Sequence, residues 1–302
     1  MQYWILFTLL AASMQAVRTA GQKQLTSHLS AMSTTLVRYL FGLPVAFIYL
    51  AILLHFNIDD TALENPKTLY ALITSNKTFM AYATSASLAQ ILATYCLIKA
   101  FSSRNFAVGT SLAKTEAILV AILASLLFQD YLSLYGWIAV TIGVLGTLIV
   151  SLTGKQLKLS LSATLYGLSS GLLFAFTSLF LREASLSLNQ PLIFSAAITL
   201  VVMVSIQTLV CSIYISIRDP GQWSEVWKNK YLCAFVGATS AFGSIGWFTA
   251  MSMQNVALVK TLGQVEFLVT LALTHYYFKE KITSAELVGM LLIISSVILV
   301  LV

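Results

Sequence analysis

Residues 100–150 and 250–300 are two versions of one pattern. A shift of 150 positions, without a gap, lays Ala100 on Ala250, Asn105 on Asn255, Ala107 on Ala257, Leu112 on Leu262, Glu116 on Glu266, Leu123 on Leu273 and Phe128 on Phe278. Apolar coincidences are common in so oily a chain, so the Asn and Glu matches carry the weight. A carboxylate inside an apolar helix costs roughly 2.5–3.5 kcal/mol on insertion scales, and two at equivalent depth mark a duplicated unit.

With 58% hydrophobic and 9% charged residues, the chain has too little polar surface to coat a soluble globule. The apolar residues come in windows of about 20, enough for a helix to cross a hydrocarbon core. Ten such helices are expected, at 3–22, 30–54, 78–100, 105–128, 133–152, 161–182, 190–216, 231–253, 255–278 and 283–302. Five fall in each half, and an odd number sends the second half into the membrane from the opposite side. The predicted fold class is an all-α polytopic membrane protein, ten transmembrane helices as two inverted five-helix repeats, 1–152 and 161–302, joined by a linker at 153–160.

The net charge of +6 is spread along short loops, which speaks of membrane orientation and not of nucleic acid. Basic residues gather after odd-numbered helices, so the positive-inside rule puts both termini outside the cytoplasm. The start, MQYWILFTLL, lacks a basic n-region and reads as a retained first helix. Cys96, Cys211 and Cys233 sit in separate apolar segments, with neither disulfide nor zinc spacing. Polar stretches at 55–77 and 217–230 follow the second and seventh helices, with Pro66 and Pro220 to interrupt helix and Trp223 and Trp227 to lie at an interface. The GxxxG of Gly167 and Gly171, with Gly143 and Gly146, predicts close helix packing.

Charged side chains within the spans are the functional candidates, because such groups face the bundle interior or a wet cavity. They are Arg38, Lys114, Glu116, Lys260 and Glu266. Lys114 and Glu116 are two residues apart, about 200° around a helix, and point in different directions. Lys260 and Gln264 are four apart and share a face, which the repeat equates with Thr110 and Lys114. Those four suit a ligand with a carboxylate or phosphate, although Lys260, near its helix start, is also placed to snorkel. Glu116 either pairs with Arg38 or carries a proton during transport; Glu266 has no matching Arg in the seventh helix and is the better candidate for proton coupling. Gln15 and Arg18 belong to a polar stripe on the first helix, while Tyr95 and Trp247 are available to wall a cavity.

The segments LAKTEAILVAILASLLFQDYLSLYGWIAVTIGVLG and LGQVEFLVTLALTHYYFKEKITSAELVGMLLIISSVILVL resemble the paired ends of EamA-type members of the drug/metabolite transporter superfamily. Arg38 in LVRYLFGLP matches the basic residue that begins the second helix there. The chain departs from that pattern with Ala117 and Phe267 where Pro is common. The resemblance implies a central cavity, alternating access, a bacterial inner-membrane location and cytoplasmic termini, the reverse of the orientation that the loop charges favour.

The expected function is export or exchange of a small polar metabolite, an amino acid or related zwitterion, with the lipid bilayer as host and protons as candidate coupling ions. Lys114, Lys260, Gln264 and Thr110 would hold the acidic group. No cofactor, metal or nucleic acid is implied, and the expected state is a monomer or weak homodimer. Two rivals stand beside this: uptake or exchange of an anionic metabolite, which a cationic centre favours, and a membrane-embedded transferase. The transferase needs clustered His, Asp or Cys, whereas His28, His55 and His275 are single and scattered.

Overall fold

A computed structural model describes residues 2–56, 66–101, 112–152, 161–269 and 283–301. Regular structure among the described residues is helical throughout. In chain order the helices are α1 (Tyr3–Leu25), α2 (Ala31–Leu40), α3 (Leu43–His55), α4 (Pro66–Ser75), α5 (Lys77–Phe101), α6 (Glu116–Leu127), α7 (Leu134–Leu152), α8 (Leu161–Ser187), α9 (Leu192–Arg218), α10 (Gln222–Lys228), α11 (Lys230–Met253), α12 (Val256–Leu262) and α13 (Ser284–Leu301). Among the described residues six helical stretches are long and apolar enough to cross a bilayer, α2 with α3 counting as one, and α6 and α7 are shorter apolar helices. The protein is a polytopic α-helical membrane protein, its helices satisfying their own backbone within each span as lipid requires. Large apolar side chains such as Phe47, Ile48, Leu88, Leu145, Leu209 and Ile298 stay exposed on the outer faces, where lipid replaces water.

The packing displays the duplication. The most extensive helix pairs are α5 with α8, α1 with α11, and α7 with α13. Under the repeat α1 corresponds to α8, α5 to α11 and α7 to α13, so a pseudo-two-fold axis exchanges the first two pairs and maps the third onto itself. Residue detail agrees at α7–α13. A Cβ on Gly146 would lie 2.7 Å from the Gly289 carbonyl oxygen. The repeat turns that contact into Ser296 against Ala139, and the Ser296 hydroxyl donates to the Ala139 carbonyl at 2.7 Å.

Three of the expected continuous spans are interrupted, the second at Phe41 and Gly42 and the fourth and ninth at the turns taken up below. The second divides into α2 and α3 at Phe41 and Gly42, with Pro44 in the first turn of α3 supplying no backbone donor. This junction presses on α11, where a Cβ at Gly237 would fall 2.3 Å from Phe41 Cβ and 2.6 Å from its carbonyl carbon. The polar stretches each hold a short helix, α4 and α10. Pro66 starts α4 instead of interrupting helix, as a residue without a needed N–H can. The expected linker at 153–160 lies outside the described residues.

Candidate functional site: crossed ion pairs at two helix breaks

The fourth and ninth spans are discontinuous at matching depth, even though neither has Pro there. Asn255 caps α12, its Oδ1 accepting from the Ala257 N–H at 2.8 Å, which gives the duplicated Asn a structural purpose. The helix ends in a turn at Gly263 and Gln264, and helix resumes over 265–269. Across the turn the bonds tighten to three-residue spacing: the Gln264 N–H donates to the Thr261 carbonyl at 3.1 Å and the Glu266 N–H to the Gly263 carbonyl at 3.0 Å. Gly263 is required, because a Cβ there would lie 2.3 Å from Trp247 Cη2.

In the first half the turn falls at Lys114 and Thr115. The Thr115 N–H donates to the Leu112 carbonyl at 3.1 Å, and the Thr115 hydroxyl donates to the same oxygen at 2.7 Å. Gly171 of the GxxxG lies against the Ala113 and Leu112 carbonyls, 3.1 and 3.3 Å from where its Cβ would be. Backbone of this kind at membrane depth is tolerated where protein or a water-filled cavity surrounds it.

The charged side chains meet at these breaks and cross between the repeats. Lys114 Nζ of the first half sits 2.6 Å from Glu266 Oε2 of the second, and Lys260 Nζ of the second sits 2.6 Å from Glu116 Oε1 of the first. Glu116 occupies the first turn of α6, where the helix dipole favours an anion. Polar neighbours complete each pair. Gln15 Nε2 of α1 donates to Glu266 Oε2 at 2.7 Å, while its Oε1 accepts from the Trp247 indole N–H at 3.1 Å. Ser178 of α8 donates to Glu116 Oε1 at 3.1 Å. Lys260 Nζ lies 4.6 Å from the Trp247 ring centroid and Lys114 Nζ 5.2 Å from that of Phe267.

Several expectations are corrected here. Glu116 does not pair with Arg38; it takes Lys260, and Arg38 Nη1 donates instead to the Thr94 hydroxyl at 3.1 Å. Lys260 does not snorkel, since its side chain is 13% exposed and committed to Glu116. Glu266 is not left without a basic partner. Nor do Lys260 and Gln264 share a face, because the turn at Gly263 separates them. Gln264 turns toward α7 and α13: its Oε1 accepts from Thr147 at 3.2 Å and would crowd a Cβ at Gly143. Thr110 lies outside the described residues. Trp247 and Gln15 join the ion pairs, whereas the Tyr95 ring rests against Lys99 of its own helix, 5.6 Å away.

Two arginines outside the five charged candidates also lie within helices. Arg182 of α8 donates to the Met251 and Gln254 carbonyls, both at 2.6 Å, and so closes the C-terminal end of α11. Arg18 lies inside the bundle, 4% exposed, within electrostatic reach of Arg38 and Glu266. A small, water-sized cavity adjoins Arg38, lined also by Tyr39, Gln90, Gln207, Ser240 and Ser244.

Two related halves, broken helices at equivalent depth and buried charge at the breaks fit one class: an integral membrane carrier of small molecules. The family follows. Residues 2–152 and 161–302 match the EamA-like transporter family, and the chain belongs to it. A solved structure described as "Crystal structure of protein" superposes with a TM-score of 0.71 at 13% identity, covering 99% of this chain and 95% of that one, a likeness of fold. No curated protein matches.

Proposed function

We propose that the protein is a secondary transporter of the bacterial inner membrane that exports or exchanges a small polar metabolite, an amino acid or related zwitterion, by alternating access. The observation that carries this is the crossing of Lys114–Glu266 and Lys260–Glu116, each pair joining one repeat to the other. Rocking of the repeats about their interface changes the separation of these groups, so the pairs open and close with the conformation. A zwitterion suits such a centre, since its ammonium competes with a lysine for a glutamate. Trp247 and Gln15 bound the space beside them. Glu266, reached by Lys114 and Gln15 together, is the carboxylate at which a proton can replace the lysine contact.

An anionic metabolite is the second reading. Among the described residues around this centre, Arg18, Arg38, Lys114 and Lys260 stand against Glu116 and Glu266, an excess of two positive charges. Counterflow in sealed liposomes tests both, with labelled amino acids in one set and labelled dicarboxylates or sugar phosphates in another. Saturable exchange of an amino acid, abolished in Glu266→Ala, supports the first. Exchange confined to anions selects the second, and flux of neither class overturns the transporter assignment for these substrates. Accumulation unaffected by an imposed pH gradient removes the proton.

A further inference from the structure

The ion pairs satisfy both lysines, but the positive charge does not end with them. Arg18 of α1 is buried, and its Nε and Nη1 have no hydrogen-bond partner among the described residues. One turn further along the same helix, Gln22 is 2% exposed and its Nε2 is likewise unpartnered. Arg38 approaches from α2, and its guanidinium borders the small cavity between α2, α3, α5, α9 and α11. Tyr39 and Thr94 share the wall, with Arg38 Nη1 donating to Thr94 at 3.1 Å and the Tyr39 and Thr94 hydroxyls 3.3 Å apart. On the far side Ser240 Oγ and Gln207 Oε1 have no partner among the described residues, while Gln207 Nε2 donates to Gln90 Oε1 at 2.7 Å.

Buried polar groups in folded proteins are almost always paired, and a group of orphans in one region asks for a missing partner. Water can serve a hydroxyl or an amide. It cannot neutralise two buried guanidinium groups on helices that both pack on α11 about Ser240, with α1 against it at Gly21–Val236 and Met14–Gly243 and Arg38 of α2 bordering the cavity that Ser240 lines, where each has lost its hydration. A carboxylate or phosphate answers both needs. Its oxygens accept from planar guanidinium forks in the bidentate geometry that arginine favours, and its charge offsets the excess.

We infer that Arg18 and Arg38, with Gln22 and Ser240 beside them, form the subsite that holds the anionic group of the transported molecule, a carboxylate or a phosphate. The lysines belong to the ion pairs that link the repeats. This site rests on the transporter reading for its purpose, although binding can be measured without transport.

The test uses the purified full chain in nanodiscs of zwitterionic lipid, so that no anionic headgroup competes. Sodium phosphate and sodium succinate are titrated against sodium chloride at matched ionic strength, following thermal stability and tryptophan fluorescence. A saturable shift with phosphate or succinate is expected. It should weaken at least tenfold in Arg18→Gln and Arg38→Gln, weaken less in Arg18→Lys, and persist in the double variant Glu225→Gln/Lys228→Gln, which removes an exposed ion pair of α10 without changing net charge. Absence of any saturable shift in the parent protein overturns the site. So does a shift that survives both arginine substitutions or is lost equally in Glu225→Gln/Lys228→Gln. Should the Gln variants not fold, the Arg18→Lys titration decides: unaltered affinity there sinks the forked contact. Anion binding without flux in liposomes leaves the site and defeats the transporter reading, whereas amino-acid flux indifferent to Arg18→Lys does the reverse.

Discussion

At the residue scale, the chemistry lies in who neutralises whom. A buried ion pair is weak support for stability, but breaking one by removing a single partner is costly, because the remaining charge is stranded. Lys260 and Glu116 retain 13% and 15% side-chain exposure, so the cost should fall below the ~3–5 kcal/mol of a sealed pair, at about 2 kcal/mol. Glu116→Gln is therefore expected to lower the thermal midpoint in detergent by several degrees. The double variant Glu116→Gln/Lys260→Gln should recover most of that loss, and a double variant worse than the single would contradict the pairing. The charged residues themselves were visible in the sequence as polar types inside apolar windows. Their partners were not, because Arg38 and Lys260 are equally plausible mates for Glu116 until the helices are docked.

At the scale of the element, close approach decides where helices can cross. Gly237 lets the α2–α3 junction lie on α11, with Phe41 backbone atoms occupying the space a methyl group would need. Gly237→Ala should cost about 1–3 kcal/mol by overpacking, seen as a lower unfolding midpoint. Asn255→Ala removes the cap of α12 and should cost about 1 kcal/mol, while Asn255→Asp should be nearly neutral. Gly263→Ala pushes on the Trp247 ring, so its signature is a changed tryptophan emission together with weakened binding, more than lost stability. Periodicity marked the long helices within a few residues of their ends. It passed over the breaks at 114–115 and 263–264, since only the meeting of glycine, tryptophan and neighbouring carbonyls in three dimensions interrupts otherwise helical sequence there. The duplicated Asn, by contrast, was conspicuous as a rare type, although the capping role of Asn255 emerged only from the structure.

At the scale of the molecule, two halves share one packing scheme. The α7–α13 pair lies on the pseudo-two-fold axis and is tied by the Gly146–Gly289 approach and the Ser296–Ala139 bond. As the repeats rock, the segments that carry the ion pairs separate, so a reducible thiol crosslinker joining Thr115→Cys to Phe267→Cys should stop transport. Flux in liposomes with and without reductant separates the outcomes. The membrane class, the internal duplication and the presence of charge in the fourth and ninth spans were determined by sequence alone, because composition, period and the rarity of buried carboxylates are local and additive properties. Which charges cross between repeats, where the helices break and which arginines remain uncompensated were decided by tertiary structure. Each depends on distances between segments more than a hundred residues apart, and no local pattern encodes those.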